Sequence, residues 1–152
     1  MLWEPEQIVC QTNIQGIASF RRIFGPVRNG RGLVVGSITM HELSIMQSAL
    51  RVALEQARQA GASRVHVIRL RIGALSGVVP DALEFAFEAL VPGTAAEDAK
   101  LSIEHVPARF WCATCTREFQ SDDMFAECPD CHGLSGELRA GREMEVASLE
   151  ID

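Results

Sequence analysis

The chain has 152 residues, 47% of them hydrophobic, enough for one modest core and a small satellite module but not for two large domains. Fourteen basic against twenty acidic residues give a formal charge of −6, which argues against a partner whose affinity comes from phosphate neutralisation. No run of about 18 apolar residues marks a membrane span, and the N-terminus lacks the basic, apolar and small-residue order of a signal peptide. A cytoplasmic protein with reduced thiols is expected.

Residues 1–39 are punctuated by Gly16, Gly25, Gly30, Gly32 and Gly36, and Arg21, Arg22, Arg28 and Arg31 dominate their charge. With no sustained hydrophobic period, they read as an extension in which Cys10 is an incidental thiol. Four basic and two acidic residues fall here, leaving ten basic and eighteen acidic from Met40 onward. The body is therefore more acidic than the whole.

From Leu43 the residues Met46, Leu50, Ala53, Leu54 and Ala57 recur at three- and four-residue intervals, which predicts a helix ended by Gly61. Arg64 to Ile72 alternates Ile68, Leu70 and Ile72 against Arg69 and Arg71, a strand with one buried face closed by Gly73. Pro80 and Asp81 start a second helix whose stripe is Leu83, Ala86, Phe87 and Leu90, stopped by Pro92-Gly93. Leu101 to Val106 reads as a second strand, and Glu143 to Ile151 as a last, imperfectly alternating one. The last strand has no core of its own and needs the earlier ones. The expected fold is thus α/β: a small sheet with two helices, plus an inserted zinc-ribbon-like module. Three units follow, an extension over 1–39, a discontinuous α/β domain over 40–110 and 137–152, and a metal module over 111–136. Phe110 and Trp111 are expected to pack that module against its host.

Cys112-Ala-Thr-Cys115 and Cys128-Pro-Asp-Cys131 are twelve residues apart. Each pair makes a tight turn that presents two sulfurs toward one point, and two turns complete a tetrahedron. Four thiolates suit zinc, whose filled d shell imposes no geometry, and a closed four-sulfur set is a structural site without an open catalytic position. A segment this short cannot fold on apolar burial alone, so the ion would contribute on the order of 10 kcal/mol to its folding. The alternatives are iron in a rubredoxin-like site with the same geometry, or four cysteines buried as small hydrophobes.

Met40-His41-Glu42 stands at the entrance to the first helix. One reading is a capping box, in which Thr39 and Glu42 satisfy each other's amides and His41 is an ordinary first-turn polar residue. The other takes Met40 as the first residue, so that its amine, the His41 amide nitrogen and the His41 imidazole form two fused chelate rings. Planar nitrogen donors suit nickel(II) or copper(II), and affinity rises with pH because the amide is deprotonated. With residues 1–39 attached, Met40 supplies an amide instead.

Met40-His41-Glu42-Leu43-Ser44 opening a helix, Arg71-Ile72-Gly73 followed by Pro80 to Phe87, and then the paired cysteines resemble the HypA/HybF family over about 113 residues. The resemblance implies a nickel metallochaperone that delivers Ni(II) to the large subunit of a nickel–iron hydrogenase, working with a HypB-type GTPase. His41 would be the principal nickel ligand, helped by Met40 and Glu42, and Cys112, Cys115, Cys128 and Cys131 would hold structural zinc. His132, directly after the last cysteine, is a further candidate, able to swing toward nickel or to tune the zinc site. A homodimer is compatible with this reading, and neither membrane nor nucleic acid is expected as a partner. The 39-residue extension departs from the family and suggests a mis-assigned start, with a genuine leader as the alternative. His66 and His105 are expected to be structural or surface residues. No nucleophile–base pair, phosphate-binding loop or acid–base dyad is evident, so no enzyme is expected. The competing functions are a zinc-ribbon adaptor for protein or nucleic acid, disfavoured by the acidic body, and a red, redox-active electron carrier.

Overall fold

The computed structural model of the protein describes residues 6–13, 40–123 and 126–152. Helix α1 spans Met40–Gln59 and buries Met46, Ala49, Leu50, Ala53 and Ala57, one stripe at helical spacing. Its C-terminus is a Schellman motif: Gly61 takes φ +79°, its amide bonds the Arg58 carbonyl at 3.1 Å, and the Ala62 amide bonds that of Ala57 at 3.0 Å. A five-residue turn leads into β2, Val65–Gly73, where Ile68, Leu70 and Ile72 are buried as the alternation predicts. Helix α2 covers Pro80–Leu90, its first turn preset by the proline ring, and buries Leu83, Ala86 and Phe87. It connects β2 to β3, Lys100–Val106, the crossover that a parallel pair requires.

Five short strands lie around the four cysteines: β4 Arg109–Cys112, β5 Arg117–Gln120, β6 Ala126–Glu127, β7 Leu134–Ser135 and β8 Leu138–Ala140. The chain then returns as β9, Met144–Ile151, antiparallel to β2. Ala147 has no register partner on β2, where Arg69 pairs with Ser148 and Leu70 with Val146. This bulge explains the imperfect alternation: Met144 and Val146 before it and Leu149 and Ile151 after it all face the core.

The extension holds a strand that its sequence did not suggest. Glu6–Asn13, β1, pairs antiparallel with β9, giving the sheet order β1-β9-β2-β3. Its period escapes notice because the register shifts between Val9 and Thr12, opposite the same bulge.

Both helices pack on one face of the sheet around Met46, Ile68, Leu70, Leu83 and Leu149. The opposite face carries ion pairs that cross strands, Arg69 with Glu150 at 2.5 Å and Arg71 with Glu145 at 2.7 Å and Glu104 at 3.4 Å. A second, smaller core lies in the module: Ala108, Phe110, Cys112, Phe119, Ala126 and Cys128. Phe110 stacks on Phe119 with ring centroids 6.0 Å apart within this core, and half-buried Trp111 carries the Arg139 guanidinium at 5.3 Å. The host residue that packs onto this core is Leu75, just beyond β2. Among the described residues no helix is long and apolar enough to cross a membrane.

Candidate metal centres

Each Cys-x-x-Cys turn ends in a left-handed residue immediately after its second cysteine, Thr116 at φ 52° and His132 at φ 57°. Such a bend is unfavourable for a β-branched residue like threonine, yet it turns both pairs of sulfurs inward. The Cys112 and Cys131 Sγ atoms lie 3.5 Å apart, those of Cys115 and Cys128 3.9 Å apart, and all four fall within 4.8 Å of one another. Zinc–sulfur bonds of about 2.3 Å in a tetrahedron place sulfurs roughly 3.8 Å apart, so the donor set and its spacing fit one zinc ion. All four cysteines are free, with Cys112 and Cys128 buried and Cys131 exposed.

Backbone groups support the turns. The Cys115 amide points at the Cys112 sulfur at 3.4 Å, the His132 amide donates to the Cys128 carbonyl at 2.9 Å, and the Cys128 amide donates to Gly133 at 2.9 Å. The thiols also act on one another. The hydrogen bond with Cys131, burial, and the neighbouring Cys112 and Cys128 push the Cys115 thiol up to about 12. The backbone hydrogen bond from Cys131 instead leads the influences that lower Cys128. A cluster that resists multiple ionisation becomes a strong site once a divalent cation supplies the balancing charge.

His132 is exposed, and its Nδ1 lies 2.7 Å from Glu127 Oε1 across the second knuckle. Glu127 was not singled out in the sequence. It stands five residues before His132, and only the left-handed turn brings the two together.

The second candidate region is the start of α1. His41 is exposed, and its carbonyl accepts the Ser44 hydroxyl at 2.9 Å. Glu42 is only 4% exposed, and its Oε2 has no hydrogen-bond partner among the described residues. Thr39, the other half of the expected capping box, lies outside them, as do the side chain of Met40 and all of 14–39. Because α1 turns back into β2 through a short loop, its first turn lies at the end of the sheet where β2 stops. There β3 leaves for the metal module and β9 returns from it, with Gly73 paired to Val106 and Ile72 to Met144.

The linkers cross at that end. The Gly73 amide donates to the Glu143 carbonyl at 2.8 Å, and the Leu75 amide to Gly141 at 2.7 Å. Glu143 Oε2 accepts the Gly141 amide at 2.7 Å. His66 lies on β2 and His105 near the end of β3, and neither is grouped with the four sulfurs among the described residues.

A two-helix layer on a small sheet, interrupted by a cluster of four cysteine sulfurs, is the architecture of a metal-binding protein. A protein-family model described as hydrogenase/urease nickel incorporation, metallochaperone, HypA, matches residues 40–151. The hydrogenase maturation factor HypA of a Picosynechococcus strain is 47% identical over 112 residues, covering 74% of this chain and 99% of the relative. That of Methylocella silvestris is 40% identical over 113 residues, covering 74% and 100%. The solution structure of the nickel metallochaperone HypA from Helicobacter pylori matches with a TM-score of 0.52 at 24% identity, over 72% of this chain and 96% of that one. The chain belongs to the HypA family of nickel metallochaperones, hydrogenase maturation factors that are not enzymes.

Proposed function

We propose that the protein binds nickel(II) at Met40-His41-Glu42 and delivers it to the large subunit of a nickel–iron hydrogenase, with a HypB-type GTPase as partner, in the cytoplasm. The observation that carries this reading is an exposed His41 beside a buried Glu42 carboxyl oxygen that has no hydrogen-bond partner among the described residues. Leaving such a group unsatisfied costs about 1–3 kcal/mol, a cost that a cation or its ordered ligands would remove. The His41 imidazole and amide nitrogen supply two donors. Met40 supplies an amine where the chain starts there and an amide where residues 1–39 remain attached. Zinc in the four-cysteine site gives the module its fold and a fixed docking surface. In this reading 40–110 with 137–152 handles nickel and 111–136 handles zinc, while His132, paired to Glu127, adjusts the zinc knuckle. The net negative charge supports cation handling over nucleic-acid binding.

The test is a nickel titration of three zinc-loaded proteins: the full chain, a form beginning at Met40, and the latter with His41→Ala. About one zinc in each, with nickel bound by the Met40 form and lost in the variant, is the expected result. A Met40 form that carries zinc but ignores nickel would return His41 and Glu42 to a capping role.

A further inference from the structure

The four sulfurs of the metal cluster are not equally sheltered. Cys112 and Cys128 are buried and Cys115 is half-buried, whereas Cys131 is exposed. Gly133, two residues on, adds no cover. A Cβ there would stand 3.4 Å from the Cys131 sulfur, in ordinary van der Waals contact, and glycine leaves that side open. Neither Gly133 nor Gly136 has a positive φ, so the backbone does not exclude a side chain at either position.

Across the cluster, the Cys112 sulfur lies 3.5 Å from that of Cys131, on the other knuckle and nineteen residues away in the chain. Cys112 also lines a cleft of about 240 Å³ with Trp111, Thr114, Gly133 and Leu134, so its surroundings are not closely packed. An accessible thiolate beside a second sulfur is the arrangement that oxidises to a disulfide, because the first sulfur meets the oxidant and the second resolves the product. Cysteine bound to a divalent cation is thiolate at neutral pH.

On the reading that the four cysteines hold zinc, on which this step rests, we propose that Cys131 is an oxidation site for a small peroxide, with Cys112 as the resolving sulfur. The pair unloads the zinc module reversibly. The Cys131 sulfur attacks one peroxide oxygen, forming an S–O bond as the O–O bond breaks and hydroxide leaves. The Cys112 sulfur then attacks the sulfenic sulfur, forming the S–S bond as the S–O bond breaks and a second hydroxide leaves. The two thiolates give up two electrons, the peroxide gains them, and each hydroxide takes a proton from solvent. Cys115 and Cys128 remain, too few for a closed four-sulfur site. Among the described residues the module's core has six buried members, two of them cysteines of the cluster, so its order is lost with the ion. The new bond keeps both knuckles joined, and a thiol reductant that opens it restores the site for refilling.

The full chain is loaded with zinc, its metal content measured, and treated with stoichiometric hydrogen peroxide beside a chromogenic zinc chelator. Samples taken during release are blocked by alkylation, digested and mapped by mass spectrometry. One zinc released per disulfide formed, Cys112–Cys131 as the first linkage, and recovery of zinc after dithiothreitol and added metal are expected. Brief alkylation without peroxide should label Cys131 ahead of the other three cluster cysteines. Gly133→Ala, which sets a methyl against the sulfur, should slow peroxide-driven release at least twofold, and Gly136→Ala, whose Cβ meets nothing within 4 Å, should leave it unchanged. Each rate is taken relative to release by chelator alone, which removes any general loosening of the knuckle. A first linkage within one knuckle or between Cys115 and Cys128 would overturn the proposal, as would a Gly133→Ala rate equal to that of Gly136→Ala. Zinc retained through peroxide treatment would overturn it and leave the zinc reading intact. A chain that takes up no zinc would overturn that reading, and this step with it.

Discussion

Gly73 and Gly141 meet backbone to backbone: a Cβ on Gly73 would lie 2.2 Å from the Gly141 carbonyl carbon and 2.3 Å from its oxygen. Gly141 in turn, at φ +115°, leaves room for a Cβ only 2.6 Å from the Ala108 Cα. Three segments therefore cross at one point: the end of β2, the strand leaving for the metal module, and the strand returning. No flexible side chain can yield there, since the obstacles are main chain.

Gly73→Ala should displace the linker and destabilise the protein by about 1–3 kcal/mol, as overpacking at a rigid site does. Gly61→Ala is the control. It adds a Cβ with nothing within 4 Å, at φ +79°, and should cost about 1–2 kcal/mol from backbone strain alone. Thermal unfolding of the two variants, with zinc content checked, separates steric crossing from left-handed strain. The crossing also sets the module against its host, so Gly73→Ala should move the amide resonances of Leu75 and Phe110, which Gly61→Ala should leave in place. A cost near zero for Gly73→Ala, with those resonances unmoved, would mean the crossing relaxes freely.

The two hydrophobic clusters are unequal. Among the described residues, twenty buried ones surround the sheet and helices, against six in the module's core, two of them cysteines of the metal cluster. Chelating the zinc should therefore melt the module while leaving the α/β layer folded. Heteronuclear NMR should show resonances of Arg109–Ala140 collapsing toward random-coil positions, with those of Ile68, Leu83 and Leu149 retained. Loss of both sets together would show that the host depends on the module for its stability.

The parts that could be read from sequence are those governed by local chemistry. Pro80 starts α2 and Gly61 ends α1 because ring geometry and a left-handed φ act within one turn, and Ile68, Leu70 and Ile72 face inward by simple alternation. The spacing of the four cysteines carries its own geometry, since each knuckle closes over four residues. What escaped depends on partners far along the chain. The bulge at Ala147 hides the periods of β9 and, through it, of β1. The parallel pairing of β2 with β3, the Gly73–Gly141 crossing and the seating of Leu75 on the module's core all bring together residues with no local signal. At the Met-His-Glu motif the residue types were legible, but the burial of Glu42 was not, because a first-turn acidic residue is ordinarily solvated.

Asp152 offers a pH test. Burial acts to raise its pKa, but the Arg64 amide at 2.7 Å and the Ser63 hydroxyl at 3.2 Å outweigh that and hold it below the ordinary value of 3.8. A depressed folded-state pKa means that the unfolded chain takes up its proton first. The stabilisation is therefore present above the unfolded value and disappears as pH falls through the folded one. Asp152→Asn should lower Tm at pH 6, and the gap from the parent should close as pH drops through the region below 3.8. A gap unchanged across that range would mean that the clamp on the turn before β2 does not depend on ionisation.

Glu42 sets stability against function. Its position in the first turn of α1 favours an acidic side chain by about 0.3–1 kcal/mol, whereas a buried oxygen with no partner among the described residues costs about 1–3 kcal/mol. The second term is larger, so Glu42→Met, which keeps the length and removes the polar oxygen, should stabilise the nickel-free protein by about 1 kcal/mol. For a chain of this size that raises Tm by a few degrees. If Glu42 serves nickel, the same variant should bind it at least tenfold more weakly while keeping its zinc. Differential scanning calorimetry and a nickel titration on one preparation report both quantities. A higher Tm with unchanged nickel affinity would remove Glu42 from the ligand set. A lower Tm would mean that the buried oxygen is satisfied by the segment preceding Met40, and the capping box would then account for its burial.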